Sequence, residues 1–204
     1  MNILSATRAA QVSMRALALG ALLFGGTAAM ADGPSYSYIQ AAYQELDLDL
    51  GSGLDADGDG YSVGGSVAVG DSWFIFAGYS DFELESVIDF SSLSAGLGYH
   101  AGISEKTDWF AAASFERAEA SASGFGSVDE TGYGLAVGLR SMVSDRLELF
   151  GNVGYTDLGD GADGTAVGAG LWYTLGGNFA IGAGASFEED ATIYGAGIRL
   201  YFDK

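Results

Sequence analysis

The chain has 204 residues, 49% of them hydrophobic and 13% aromatic, with 27 acidic side chains against 8 basic ones and a net charge of −19. That acidity excludes nucleic acid and an anionic membrane surface as simple electrostatic partners, and the apolar content excludes a disordered acidic chain. Cysteine is absent, so neither disulfides nor thiol chemistry can contribute.

The first residues read as a targeting segment. Arg8 and Arg15 provide a positive start, Ala16 to Gly26 form an apolar run, and Ala29-Met30-Ala31 matches a small-x-small cleavage pattern. The run is too short for a membrane helix, which needs about 20 apolar residues. Residues 1–31 are therefore expected to be a cleavable signal peptide, with Met14 as an alternative initiator. Residues 32–204 then form one domain.

From Ser35 onward the pattern is an alternation. In Tyr61-Ser62-Val63-Gly64-Gly65-Ser66-Val67-Ala68-Val69, Tyr61, Val63, Val67 and Val69 share one face, and the other face is small or polar. The same holds for Leu93 to His100, Tyr133 to Arg140 and Phe179 to Glu188. A soluble barrel would turn its bulky face inward. Here the other face is mostly too small for a core, so the bulky face is expected to meet lipid. No later segment could be a membrane helix, which leaves closed β-structure as the spanning form.

Two sets of polar breaks divide the runs. Gly70-Asp71-Ser72, Ser104 to Thr107, Ser144-Asp145-Arg146 and Leu175 to Asn178 read as tight turns. Asp49 to Asp59, Glu85 to Asp89, Ser121 to Ser127, Asp157 to Gly164 and Glu189 to Ala191 read as the loops of five hairpins. The expectation is an all-β, antiparallel transmembrane barrel of ten strands, with tight turns in the periplasm and loops outside. Eight strands is the alternative, if Glu85–Asp89 or Glu189–Ala191 is a bulge. Aromatic residues near the run ends, among them Tyr61, Tyr99, Trp109, Tyr133, Tyr155 and Phe187, are expected to form two girdles.

Alternation directs Asp81, Glu83, His100, Glu116, Arg140, Glu148, Asn152, Glu188 and Arg199 toward the lumen, joined by Gln40 and Gln44. Buried charges must pair. A polar network of Glu116, Arg140, Glu148, Glu188 and Arg199 is therefore expected, with Glu148 the better partner for Arg140 and Gln40 nearer in depth to Arg199. The competing reading is the charged lining of a narrow pore, which a small barrel diameter restricts.

Asp55-Ala56-Asp57-Gly58-Asp59-Gly60 opens like a calcium loop, with Asp55, Asp57 and Asp59 as candidate ligands, but the twelfth position is Ser66 rather than glutamate. A solvated acidic loop is the favoured reading, and weak calcium binding there, or at Asp157, Asp160 and Asp163, is the alternative. No other cofactor is indicated. The single histidine, His100, lies near the periplasmic end, so hydrolytic chemistry at the outer mouth lacks a base. The chain is read as no enzyme.

The final run, Tyr194-Gly195-Ala196-Gly197-Ile198-Arg199-Leu200-Tyr201-Phe202, resembles the C-terminal assembly signal of the small outer-membrane β-barrels, the OmpA-, OmpX- and OmpW-like group, with Ile198, Leu200 and Phe202 at the alternating outward positions. Asp203 and Lys204 follow, whereas the family pattern ends on the aromatic. Gly33 to Tyr38 and Phe76-Ala77-Gly78-Tyr79-Ser80 are similar to one subfamily of surface-detected barrels. The resemblance implies a Gram-negative outer-membrane location, lipid and lipopolysaccharide as surroundings, and the barrel-assembly machinery as a partner during insertion. A monomer with a structural or surface-contact role is expected, and a porin-like channel is the alternative.

Overall fold

The computed structural model describes residues 33–49, 55–84, 88–122, 126–159 and 163–202. The segment read as a signal peptide, and Asp160, lie outside these residues. Ten strands follow in chain order: β1 (Tyr38–Asp49), β2 (Asp55–Val69), β3 (Trp73–Leu84), β4 (Ile88–Ser104), β5 (Thr107–Ala122), β6 (Gly126–Met142), β7 (Leu147–Asp157), β8 (Asp163–Gly176), β9 (Phe179–Phe187) and β10 (Ala191–Tyr201). Each pairs antiparallel with its chain neighbours, and β10 pairs with β1 to close the barrel. The count is ten, not eight: β3 and β4 pair as separate strands, and Glu188 N–H donates to the Ala191 carbonyl at 2.8 Å to close the β9–β10 hairpin. Closure leaves no unpaired edge, which a spanning sheet requires.

The tight turns between β2 and β3 and between β8 and β9 each rest on a glycine in the left-handed region, Gly70 (φ +67°) and Gly177 (φ +55°). Pairing outward from Gln44 through β2, β3, β4 and β5 reaches β6 at Val128, while pairing through β10, β9, β8 and β7 reaches β6 at Arg140. That twelve-residue stagger tilts the strands by roughly 40° from the barrel axis.

Two rings of outward aromatics bound the lipid-facing band. At the turn end Tyr99 packs against both Trp73 and Trp109, with centroids 5.1 and 5.7 Å apart. Toward the loop end, Tyr43, Tyr61, Tyr79, Phe115, Tyr133, Tyr155, Phe187 and Tyr194 form the second ring. Tyr43 pairs directly with Tyr61, and Phe115 with Tyr133. Tyr61–Tyr79, Tyr133–Tyr155 and Phe187–Tyr194 lie 6.3–6.4 Å apart. Between the rings the outward side chains are aliphatic, for example Ile75, Leu97, Val137, Leu171 and Ile181, all exposed.

At the second ring the hydrophobic phase of the strands inverts. On β1 the outward residues change from Ile39 and Ala41 to Glu45, Asp47 and Asp49, while Leu46 and Leu48 turn inward and are buried. On β3 Trp73, Ile75, Ala77 and Tyr79 give way to Asp81 and Glu83, with Phe82 and Leu84 inside. On β4 Asp89 faces out and Phe90 in. Below the ring the barrel is oily outside; above it the wall is acidic outside and oily inside, as in a soluble barrel. The solvent explains the inversion, since lipid surrounds the lower wall and water the upper one.

This corrects two expectations. Asp81 and Glu83 do not enter the lumen. They lie past the ring, where Asp81 accepts a hydrogen bond from the Tyr79 hydroxyl at 2.7 Å and Glu83 is exposed. The segment Asp55–Gly60 is not a loop but the first turnless part of β2, paired with β1.

Candidate functional site: a lumen closed at both ends

The lumen has three layers. The uppermost is an apolar cluster of Leu46, Leu48, Ala56, Phe82, Leu84, Phe90, Ala118, Ala120, Leu158, Ala191 and Ile193, each buried. These come from β1 to β5 and β10, with Leu158 just past the end of β7, and they pack together in the loop-side half of the lumen. An interior of mostly small residues was expected; the upper lumen is instead a hydrophobic core.

The middle layer is polar and built from small side chains. Gln44, Ser80, Ser92, Ser94, Ser114, Glu116, Thr156 and Ser186 are all buried. Ser80 and Ser92 share a hydrogen bond of 2.7 Å between their hydroxyls, and the Ser114 hydroxyl donates to Glu116 Oε1. Gly134 makes room for this last pair. A Cβ there would stand 2.6 Å from Ser114 Oγ and 2.8 Å from Glu116 Oε1.

The lowest layer is aromatic and cationic. Arg140 donates from Nε and Nη2 to Glu148 Oε1 at 3.1 and 3.0 Å, with both side chains almost fully buried. Arg199 donates from Nε to Gln40 Oε1 at 3.1 Å and covers the rings of Tyr38 and Trp172, at 4.1 and 3.9 Å. The chain entering β1 runs into this end of the barrel. Tyr36 stacks on His100 with centroids 3.8 Å apart and on Phe74 at 4.8 Å, and the Arg140 guanidinium lies 4.2 Å from its ring. Arg140 Nη2 also donates to the Ser35 carbonyl at 3.3 Å. The residue preceding β1, Ser37, accepts from Phe202 N–H at 3.0 Å. Residues 33–37 thus act as a stopper in the turn-side mouth. Between this layer and the middle one is a cavity of about 60 Å³ edged by Gln40, Ser62, Gly64, Gly78, Ala112 and Ala136, room for about four waters.

The candidate network therefore divides. Arg140 and Glu148 come together, and Arg199 joins Gln40, whereas Glu116 stands apart in the middle layer with Ser114. Glu188 lies just past the end of β9, half-buried at the loop side, far from the arginines. Asn152 is buried on β7 facing the lumen. His100 is bonded through Nδ1 to Asp108 Oδ2 at 3.1 Å and covered by Tyr36. Ile198, Leu200 and Phe202 lie outward at 51%, 41% and 59% exposure.

Asp55, Asp57 and Asp59 are exposed on the outer face of β2, directly opposite Asp49, Asp47 and Glu45. Alternate residues of an extended strand stand roughly 7 Å apart, too far to converge as a calcium loop does. Among the described residues no three His, Asp or Glu side chains gather to hold a metal. The signal of the apolar cap in the sequence is the phase slip after ring aromatics, as in Tyr43-Gln44-Glu45-Leu46 and Tyr79-Ser80-Asp81-Phe82, whereas Tyr36, ahead of the first strand, carries no such signal.

The sequence profile of the outer membrane protein beta-barrel domain matches residues 16–187. The chain belongs to this family. It is thus a barrel of the outer membrane, and the aliphatic band between its rings is the surface in contact with lipid. Among solved structures, the translocator domain of the autotransporter NalP from Neisseria meningitidis is similar over 97% of this chain and 96% of its own, at 13% identity and a TM-score of 0.52. Neisserial surface protein A is similar over 82% and 98% at 17% identity, with a TM-score of 0.49. The KdgM porin, in complex with disordered oligogalacturonate, is similar over 81% and 99% at 12% identity, also with 0.49. At these identities the likeness concerns the fold alone. No curated protein matches this outer-membrane barrel in sequence.

Proposed function

We propose that this barrel is a non-enzymatic, monomeric outer-membrane protein with a structural or surface-contact role, exerted through the acidic wall and loops above the second aromatic ring. The observation that carries this reading is the apolar cap. Leu46, Phe82, Phe90, Leu158 and Ile193 are each 3% exposed or less and fill the loop-side lumen. An ion crossing a dry apolar plug loses its hydration without recompense. At the other end a path would have to displace Tyr36 and the bonded Arg140. The upper wall, by contrast, carries an outward row of carboxylates in register, Glu45–Asp59–Glu83–Asp89 across four strands. It stands clear of the lipid band, where outside contacts are made. Lipid and lipopolysaccharide are its surroundings in this reading, and the barrel-assembly machinery reads Ile198, Leu200 and Phe202 during insertion.

Planar-bilayer recording on purified, refolded barrel tests the proposal. The expected result is no steady current. Steady current at neutral pH would replace this reading with a narrow porin-like conduit.

A further inference from the structure

The outer wall of β6, β7 and β8 is unevenly covered. Gly151 and Ala169 are direct cross-strand partners there, and both face outward in the aliphatic band. Around them stand the branched side chains of Val137, Leu149, Val153 and Val167, all exposed. The small pair lies lower than these neighbours and leaves a groove of about 570 Å³, within the range of ligand sites. Packing does not require the glycine: a Cβ on Gly151 would meet the Gly168 carbonyl oxygen at 3.6 Å and nothing nearer.

Toward the turn side the groove ends on a graded polar edge. Ser141 borders it and shares a hydrogen bond of 2.8 Å with the hydroxyl of its cross-strand partner Thr107. That bond uses one hydroxyl proton and leaves the second for a further acceptor. Beyond this pair lie Lys106, in the turn before β5, and Arg146, in the turn before β7. Met142 N–H donates to the Lys106 carbonyl and Thr174 N–H to the Arg146 carbonyl, both at 2.8 Å, so the two turns stand at the feet of β6 and β8. Among the described residues these are the exposed cations of the turn side; Arg117, also exposed, belongs to the loop-side wall, 3.5 Å from Asp129. Glu105 and Asp145 are exposed beside them, Asp145 Oδ1 lying 3.7 Å from Lys106 Nζ. The corner thus presents two positive and two negative groups. Gly151 is five residues from Arg146, roughly 17 Å along β7 and about 13 Å in depth at the strand tilt, within the hydrocarbon of one leaflet.

We propose that this wall holds one phosphoglyceride with a primary-amine headgroup, its acyl chain in the groove, its phosphate at Lys106 and Arg146 and its ammonium at Glu105 and Asp145. Apolar groove, hydroxyl pair and charged corner follow one another in the order of acyl chain, glycerol esters and headgroup. The two carboxylates, together with a chain net charge of −19, disfavour a headgroup of net negative charge. A primary ammonium brings three N–H donors to the carboxylates, and a quaternary one brings none. The site uses the lipid-facing surface and is independent of whether the lumen conducts.

The test is native mass spectrometry of the refolded barrel, released from detergent micelles after incubation with equal amounts of dioleoyl phosphatidylethanolamine, phosphatidylglycerol and phosphatidylcholine. The expected result is one retained phosphatidylethanolamine per barrel, at about tenfold the occupancy of either competitor. Gly151→Leu fills the groove, and Lys106→Gln with Arg146→Gln removes the phosphate partners; each should lower that occupancy about tenfold. Glu105→Gln with Asp145→Asn should instead turn the preference toward phosphatidylglycerol. These positions are all exposed or outward, and the heat-resistant band on gels checks that each variant is folded. Equal retention of the three lipids by the wild type, or preference for another headgroup, overturns the proposal. So does undiminished retention in folded Gly151→Leu.

Discussion

Gln40 and Arg199 are direct partners across the β1–β10 seam, and the Arg199 guanidinium donates to Gln40 Oε1 at 3.1 Å from Nε. The contact joins the first strand to the last, so it forms only when the barrel closes. Its two residues are 159 apart in the chain.

Gln40→Ala removes the acceptor and leaves the guanidinium buried among Tyr38 and Trp172. A hydrogen bond to a charged group contributes about 1.5–3 kcal/mol. The expected outcome is destabilisation of that size, with slower closure. It is read from urea unfolding and from the time course of the heat-resistant band on gels.

Arg140 and Glu148 form the buried ion pair of the lowest layer. Removing one partner strands the other's charge, at a cost of about 3–5 kcal/mol. Glu148→Met or Arg140→Met alone should therefore destabilise strongly, while the double variant recovers most of the loss. A double-mutant cycle in urea checks this. Additive losses would show that the two side chains do not act as a pair.

The inversion of hydrophobic phase at the second aromatic ring predicts opposite outcomes for one change at two depths. Val137→Lys places a charge in the lipid band and should cost about 2–4 kcal/mol. Glu83→Lys, also outward but past the ring, should stay within about 0.5 kcal/mol. Equal costs at both positions would refute the boundary. The measurement is equilibrium unfolding from lipid vesicles.

Phe82 is 1% exposed at the centre of the apolar cap. Phe82→Ala should destabilise by about 3–5 kcal/mol, as for other buried phenylalanines. Its outward neighbour Asp81 should tolerate Asn with little change. Thermal unfolding of the two variants, side by side, distinguishes an inward Phe82 from an inward Asp81.

Gly134→Val adds atoms where Ser114 Oγ and Glu116 Oε1 stand within 2.6–2.8 Å of a Cβ. Overpacking of this kind costs about 1–3 kcal/mol, and a correspondingly lower melting temperature is expected in the refolded barrel.

Much of this architecture could be read from the residues in order. Val63, Val67, Leu135, Val137 and Ile181 announced a lipid-facing side because alternation is a local property of a strand. Gly70 and Gly177 announced the turns for a similarly local reason. Asp81 and Glu83, expected in the lumen, lie outward because the wall past Tyr79 is bathed by water, where an outward charge costs little. Leu46, Leu48 and Phe82 were overlooked with them, since the same slip of phase turns them inside. Tyr36 could not be placed at all: it precedes the first strand, and its stacking on His100 depends on a partner 64 positions away.

Alternation, the placing of turns and the ring aromatics are written along the chain, because each depends on neighbours within a few residues. From these the sequence by itself determines an antiparallel barrel with an oily exterior, of ten strands or, if one short break is a bulge, of eight. Arg140 with Glu148, and Arg199 with Gln40, can be matched from depth along neighbouring strands. Only the closed tertiary structure decides that apolar side chains fill the loop-side lumen, that Tyr36 enters the opposite mouth and that Glu116 stands apart from the arginines, because the twelve-residue stagger between Val128 and Arg140 sets every depth in the barrel. The reason is geometric: a residue's position along its own strand does not state its height until all ten strands have closed in register.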